Sequence, residues 1–304
     1  MFTRKKKIEQ ISKLQVNSYS ELNETFHMLR SNKSAMIGLI LIVILIIVAI
    51  FAPFIAPNDP YQRSLPFRLK PGIWSEGLST RYPLGTDYMG RGVLSRLIYG
   101  ARDSLTVGFI AVGIAASLGI FLGLLAGYYG GVIDHLIMRF VDIMFAFPSI
   151  LLAISIMAVL GPGLEKAMIA IGIVYTPQMA RVVRGSVLTV RGTVYIEAER
   201  AIGSSDFRII VSHILPNVMA PIIVYSTLSI ASAILDAAAL GFLGLGAQSP
   251  RPEWGAMLAD SRQYLMSGAW WAVTFPGLAI MITVLALNLF GDGLRDALDP
   301  RLRK

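Results

Sequence analysis

The sequence predicts an all-α, polytopic membrane protein with about six transmembrane helices. Two observations lead to this fold class. Hydrophobic residues make up 55% of the 304-residue chain, and its mean hydropathy is +0.63. Uncharged runs of 18 to 30 residues recur along the chain, and these are lengths that a helix needs to cross a bilayer. The net charge of +8 comes without basic–aromatic interleaving, which argues against a nucleic-acid surface. The absence of cysteine excludes disulfides and metal–thiolate sites.

The chain begins with a basic arm, residues 1–34, that we expect on the cytoplasmic side. Seven lysines and arginines lie in this arm, and an excess of such residues marks the cytoplasmic side of a membrane protein. The first predicted span follows at residues 35–57, and its first eighteen residues carry no charge. That run starts too late and is too long for a typical signal peptide, so we expect the span to be retained. Three prolines then end the helix: Pro53, Pro57 and Pro60.

Residues 58–103 are predicted to form an extracytoplasmic loop. The loop also holds seven basic residues, so its side is assigned from the single crossing that precedes it. The core, residues 104–291, carries the remaining apolar runs: 104–133, 143–164, 167–190, 209–235 and 263–291. The run 167–190 is long enough to cross only if Arg181 and Arg184 extend their charged ends to the inner surface. Residues 292–304 are predicted to be a cytoplasmic tail.

Small residues recur at every fourth position of the second predicted span. They share one face of a helix, where a neighbouring backbone can approach closely: Ala111, Ala115, Gly119, Gly123 and Gly127. We interpret this face as a helix-packing stripe. The alternative is that the stripe slides along its neighbour when the protein opens and closes.

A polar segment from Glu197 to Pro216, within a predicted cytoplasmic docking loop at 191–216, separates two of the spans. The helical pattern before it stops at Gly203, because glycine is free to adopt the left-handed conformation that closes a helix. Ser204 and Ser205 can then cap a second helix. A helix–glycine–helix element at the membrane surface predicts a docking site for a soluble partner.

This segment resembles the EAA loop of bacterial ABC-transporter permeases. Glu197 and Ala198 open it, Gly203 stands six residues after Glu197, and a Leu-Pro pair ends at Pro216. Further segments resemble permeases of the dipeptide/oligopeptide/nickel import group, and the nearest likeness is to the second permease subunit of dipeptide importers. Together with the loop they cover most of residues 35–304: 82–108, 234–258 and 270–304.

The resemblance implies the type I permease fold of ABC importers, in a bacterial cytoplasmic membrane with both termini cytoplasmic. It also implies a homologous second permease, two ATPase subunits and an extracytoplasmic binding protein, with a peptide path between the two permeases. Glu199 and His213 depart from the pattern, which has a small and an aliphatic residue at these places, and Gly92 stands where the pattern has Asp. The residues implied to contact an ATPase are Glu197, Ala198, Glu199, Gly203 and Pro216.

Motifs for catalysis are missing from the chain. It has no GxxxxGK[ST] loop, so we expect no ATPase site and no cofactor here, with ATP bound by the partner subunits. The histidines are too far apart in sequence to suggest a metal site: His27, His135 and His213. Two aspartates lie in predicted spans and leave two interpretations open. Asp142 and Asp236 could belong to a substrate path or proton relay, or they could pair locally, Asp142 with Arg139 or Arg181.

The transported solute stays open at this stage. Di- and small peptides are the first expectation, and oligopeptides, nickel chelates, glutathione and haem are alternatives that the resemblance allows. Two other classes of protein remain as rivals. An ion-coupled secondary transporter would need a membrane potential and no ATPase, and a scaffold or membrane enzyme would carry no solute.

Overall fold

The computed structural model describes residues 25–75 and 81–298. These residues are mostly helical and contain no strand, and one isolated antiparallel bridge joins Thr86 to Gly92. We number the helices of eight or more residues in chain order: α1 (Lys33–Ile50), α2 (Val93–Tyr129), α3 (Gly131–Phe145), α4 (Ser149–Leu160), α5 (Leu164–Arg191), α6 (Val194–Ala201), α7 (Met219–Phe242), α8 (Trp254–Ser261) and α9 (Trp271–Leu298).

Four helices in the described residues are long and apolar enough to cross a membrane: α1, α2, α7 and α9. Helices α3 and α4 form a fifth candidate span that is bent by 92°. Helix α5 has 28 residues but does not reach the same hydropathy, because polar side chains such as Arg181 and Arg184 interrupt it. Helix α5 packs along the length of α2. The described residues thus hold four to five candidate spans, and α5 stands where the sequence predicted a further one.

Two arginines of α5, Arg181 and Arg184, pair with carboxylates on α3. The Arg184 guanidinium donates two hydrogen bonds to Asp134, at 2.5 and 2.6 Å, and Arg181 donates one to Asp142 at 2.9 Å. The pairing of Asp142 with Arg181 confirms one of the two local partners expected from sequence. Arg181 and Arg184 therefore have ionic partners, in addition to any reach toward the membrane surface.

Several helix bounds differ from the predicted spans. The run 143–164 is not one helix, because Pro148 lacks an amide hydrogen and disfavours a helical residue before it, so α3 ends at Phe145. The predicted span 209–235 is observed as α7, Met219–Phe242, preceded by a wider π-helical turn at Ile209–Ile214. Helix α9 continues into the predicted tail, to Leu298.

The long segment before α2 folds against α8 and α9. Arg91 and Arg96 are buried, and the Arg91 guanidinium is 2.6 Å from the carboxylate of Asp87. Trp271, the first residue of α9, donates its indole N–H to the carbonyl oxygen of Thr86 at 3.0 Å. Residues predicted to be a loop thus form a packed cap on one end of the bundle.

Glu253 begins α8 and is almost completely buried, with 2% of its surface exposed. Its two carboxylate oxygens accept hydrogen bonds from the backbone amides of Gly255 and Ala256, both at 2.8 Å. This arrangement caps the helix. Burial raises the pKa of the Glu253 carboxyl, because the charged form loses its hydration.

Candidate functional site

The predicted docking loop contains a short helix that ends at a glycine. Helix α6 covers Val194–Ala201, and Gly203 follows with φ +82°. A side chain at Gly203 would meet no atom within 4 Å. Glycine is therefore needed here for its backbone conformation and not for space. The amide of Gly203 bonds to the carbonyl oxygen of Arg200 at 3.0 Å and closes the helix.

The serines after Gly203 do not cap the next helical turn as predicted. Ser205 occupies the N-cap position before Asp206–Arg208, but its side chain makes no capping bond. Ser204 instead donates its hydroxyl to a carboxylate oxygen of Glu199 at 2.5 Å. Ser204 therefore bonds back to the preceding helix α6, on which Glu199 lies.

Glu199 also faces His213, the other loop residue that departs from the family pattern. The second carboxylate oxygen of Glu199 is 3.6 Å from Nε2 of His213. His213 belongs to the π-helical turn that leads toward α7. The two residues that depart from the family pattern are thus in contact, and they connect α6 to the π-helical turn that precedes α7. Sequence reasoning noted both residues but had no signal for their proximity.

The exposed surface of the loop carries both polar and large apolar side chains. Glu197 and Ala198 are exposed on α6, and Pro216 is exposed in the short turn Leu215–Asn217. Three large hydrophobic side chains beside them are more than three quarters exposed: Val194 at 80%, Ile202 at 77% and Phe207 at 76%. Large apolar side chains this exposed on a polar segment are typical of interaction surfaces.

The inner surface of the loop is anchored in the bundle. Ile196 of α6 and Ile209 of the π-helical turn are both fully buried. They belong to one apolar cluster with Val183 and Val187 of α5. In addition, the Tyr128 hydroxyl of α2 donates to a carboxylate oxygen of Asp206 at 2.6 Å. A displacement of the loop would therefore be passed to α5 and α2 through close-packed side chains.

The small-residue stripe of α2 lies against α5. Gly119 faces Met179, Gly123 faces Val183, and a Cβ on either glycine would lie within 2.6 Å of these side chains. Gly127 faces Val187 in the same way at 2.7 Å, and Ala111 and Ala115 are buried on the same side of the helix. The stripe is where the two helices approach most closely, and it continues toward the docking loop.

Asp236 and Tyr175 are brought together where α5 and α7 meet. Tyr175 of α5 donates its hydroxyl to Oδ2 of Asp236 on α7 at 2.9 Å. The sequence drew attention to Asp236 as a carboxylate in a span, but it offered no signal for Tyr175. Among the described residues, no group of three or more histidine, cysteine, aspartate or glutamate side chains could hold a metal ion.

Comparison with known proteins identifies the family. Residues 119–304 match the binding-protein-dependent transport system inner membrane component family. Residues 20–71 match the N-terminal TM domain of oligopeptide transport permease C. The fold resembles an inward-facing structure of the MetNI methionine ABC transporter, with a TM-score of 0.53 at 20% identity over 67% of this chain and 96% of the other.

Curated relatives match along nearly the whole chain. The di/tripeptide transport system permease protein DppC of Pseudomonas aeruginosa is 51% identical over 284 residues, which are 93% of each chain. The dipeptide transport system permease protein DppC of Alkalihalophilus pseudofirmus is 52% identical over 95% of this chain and 93% of its own. The protein of that name from Escherichia coli K12 is 50% identical over 93% of this chain and 94% of its own. The chain therefore belongs to the inner-membrane components of binding-protein-dependent transport systems, and it is a membrane-embedded permease subunit of an ABC importer with the type I fold.

Proposed function

We propose that this chain is the second permease subunit of a dipeptide importer. It pairs with a homologous permease, and the peptide crosses the membrane between the two. Three relatives from different bacteria, each about half identical over almost the entire chain, carry dipeptide or di/tripeptide transport in their names. Identity at this level along the whole chain is the observation that supports the substrate assignment.

Two ATPase subunits supply the driving force in this proposal, one of them bound to the docking loop. The exposed apolar side chains around Glu197 and Ala198 support an interface at this loop. Glu199 contributes through its contacts with Ser204 and His213, which hold the two halves of the loop together. The chain itself holds no ATP and acts as a transport subunit. An extracytoplasmic binding protein delivers the peptide on the opposite side.

Both chain termini and the docking loop lie in the cytoplasm in this proposal. The basic arm at 1–34 supports an inside start, because seven lysines and arginines precede the first long apolar run. A single crossing, the span predicted at 35–57, separates the loop 58–103 from that arm, so the loop lies on the opposite side of the membrane. The segment packed against α8 and α9 is then the extracytoplasmic cap, which is the surface available to a binding protein.

The proposal is tested by uptake of a labelled dipeptide in cells that lack this gene and in the same cells complemented with it. Uptake should return on complementation, should persist in the presence of an uncoupler while ATP is available, and should be unaffected by excess nickel. Equal uptake in the two strains would remove dipeptides as the substrate. Loss of uptake on uncoupling with ATP maintained would instead indicate an ion-coupled transporter.

A second candidate substrate is a longer peptide. The match of residues 20–71 to the N-terminal domain of oligopeptide permeases supports it. Competition by an unlabelled tetrapeptide in the same uptake assay separates the two candidates. Strong competition by the tetrapeptide would favour an oligopeptide importer, and weak competition would favour dipeptides.

A further inference from the structure

An open groove of about 840 Å³ runs between α7 and α9 and is bounded by α4 and α8. Most of its walls are apolar, and three of the lining side chains are about half exposed: Leu235 at 52%, Met281 at 55% and Leu285 at 51%. Two lining residues, Asp236 and Asn288, are polar. The groove is thus an uncovered apolar surface with one acidic and one amide group.

Asp236 has an oxygen atom available to a ligand. Its Oδ2 accepts the hydrogen bond from Tyr175, whereas Oδ1 has no hydrogen bond or ion pair within the described part of the chain. No lysine or arginine lines the groove. On insertion scales a carboxylate at the centre of a spanning helix costs about 2.5–3.5 kcal/mol. This cost favours a groove that faces the path between the two permeases of an importer over one that faces lipid.

The spacing of the two polar residues fits a small peptide. Helices α7 and α9 are antiparallel, since Gly291 packs on Leu228 while Gly277 and Phe242 line the other end of the groove together. The contact between Gly291 and Leu228 serves as the common reference point. From it, Asp236 lies eight residues along α7, and Asn288 lies three residues along α9 in the same direction. At about 1.5 Å per residue this offset of five residues is about 7.5 Å along the helix axes. Two residues of fully extended chain span about 7 Å, which is a similar length.

We propose that Asp236 binds the α-ammonium group of the peptide during its passage, with Tyr175 as the residue that positions the carboxylate. Asn288 is placed to donate its amide to the carboxylate end of the same peptide. This inference rests on the proposed function and adds the chemical group that the permease recognises. It makes Asp236 a specificity-determining residue for substrates with a free amino terminus.

The test uses the whole importer, reconstituted in proteoliposomes with its partner permease, ATPases and binding protein. Import of a labelled dipeptide is compared with import of the same dipeptide acetylated at its amino terminus. For each peptide the rate of the variant is divided by the rate of the wild type. Because the binding protein is the same in both, its own preference between the peptides cancels from this ratio.

Asp236→Asn should lower import of the free dipeptide about tenfold, as expected for loss of a charge-assisted hydrogen bond, and leave the ratio for the acetylated peptide near one. Tyr175→Phe should cause a smaller loss with the same selectivity, and Asp236→Glu should restore part of the rate. Asp142→Asn is the matched control, because it also removes a carboxylate from a spanning segment but lies outside the groove. It should affect both peptides equally.

Each other outcome overturns a specific statement. Equal losses for both peptides in Asp236→Asn, or a variant that imports the free dipeptide at the wild-type rate, would overturn the inference and leave the proposed function intact. Loss of the partner permease on purification of Asp236→Asn would show that Asp236 pairs with that subunit instead. A wild-type importer that carries no dipeptide would overturn the proposed function and the inference with it.

Discussion

Replacing Gly123 by alanine should force α2 and α5 apart. A Cβ at this position would lie 2.6 Å from the carbonyl oxygen of Ala180 and 2.6 Å from Cβ of Val183. Favourable contacts between carbon atoms lie at about 3.5–4.0 Å, so the helices must separate by about 1 Å. The obstructing atoms belong to the backbone and to a Cβ, and neither can rotate away.

The expected cost can be isolated with a second glycine of the same helix. Overpacking of this kind costs about 1–3 kcal/mol, while replacement of a helical glycine by alanine gains about 1 kcal/mol from helix propensity. Gly113 also lies in α2, and a Cβ there would meet nothing within 4 Å. Gly113→Ala therefore gains the helix propensity of alanine without the steric clash that Gly123→Ala introduces. The free energies of unfolding of the two variants should differ by about 1–3 kcal/mol, with Gly123→Ala the less stable.

Both variants can be unfolded in detergent, by heat or by denaturing surfactant, with loss of helical signal as the measurement. Uptake is measured in parallel. Equal stability of the two variants would refute the close packing of the stripe. A Gly123→Ala variant that keeps its stability but loses uptake would instead favour the sliding contact that the sequence left as an alternative.

Three further predictions concern the parts of the chain outside the spans. Gly203→Val should uncouple ATP hydrolysis from uptake, because a left-handed backbone costs a β-branched residue at least about 1–2 kcal/mol. The control is Gly192→Val, which should be tolerated because Gly192, in the same loop, has a φ of −82°. Glu253→Gln should lose thermal stability relative to the wild type at low pH, and this gap should narrow as the pH rises. Arg251→Lys should lose the two-point contact with Asp103, at 3.0 Å for each bond, and lower the stability by about 0.5–1 kcal/mol in thermal unfolding, because the pair is partly exposed.

The sign of the pH effect follows from burial. The folded pKa of Glu253 lies above the ordinary value of 4.5, so its stabilisation is complete below that value and is lost as the pH rises through the folded pKa. A gap that widens with pH would contradict this account. If Gly203→Val is expressed normally and takes up peptide at the wild-type rate, the left-handed turn is not required for coupling. An Arg251→Lys variant as stable as the wild type would show that one charge contact is sufficient at this site.

Local sequence signals predicted much of the fold. The apolar runs predicted a helical protein that crosses the membrane several times, since a helix of about 20 apolar residues is the shortest element that crosses the bilayer with its backbone satisfied. The four-residue spacing of the stripe predicted the face of α2 that packs on a neighbour. The position of Gly203 predicted where the docking helix ends. Each of these depends on residues close together in the chain.

Boundaries were less accurate where two local preferences compete. The run 143–164 is uniformly apolar, yet Pro148 divides it into two helices at an angle of 92°. Ser204 and Ser205 are good capping residues, but Glu199 offers Ser204 a charged acceptor at 2.5 Å. A cap requires the serine oxygen to accept from a backbone amide, whereas Ser204 donates its hydroxyl to the carboxylate and Ser205, at the N-cap position, makes no capping bond.

The sequence by itself determined that this protein crosses the membrane repeatedly and carries a helix–glycine–helix loop, because hydrophobic run length and glycine conformation are properties of short segments. Only the tertiary structure decided which polar groups meet. Glu199 contacts His213 across the loop, and Asp236 receives the hydroxyl of Tyr175 from 61 positions away. Such contacts depend on how whole helices pack, and the ridges and small residues that set this packing are shared among several helices, so no single segment contains the information.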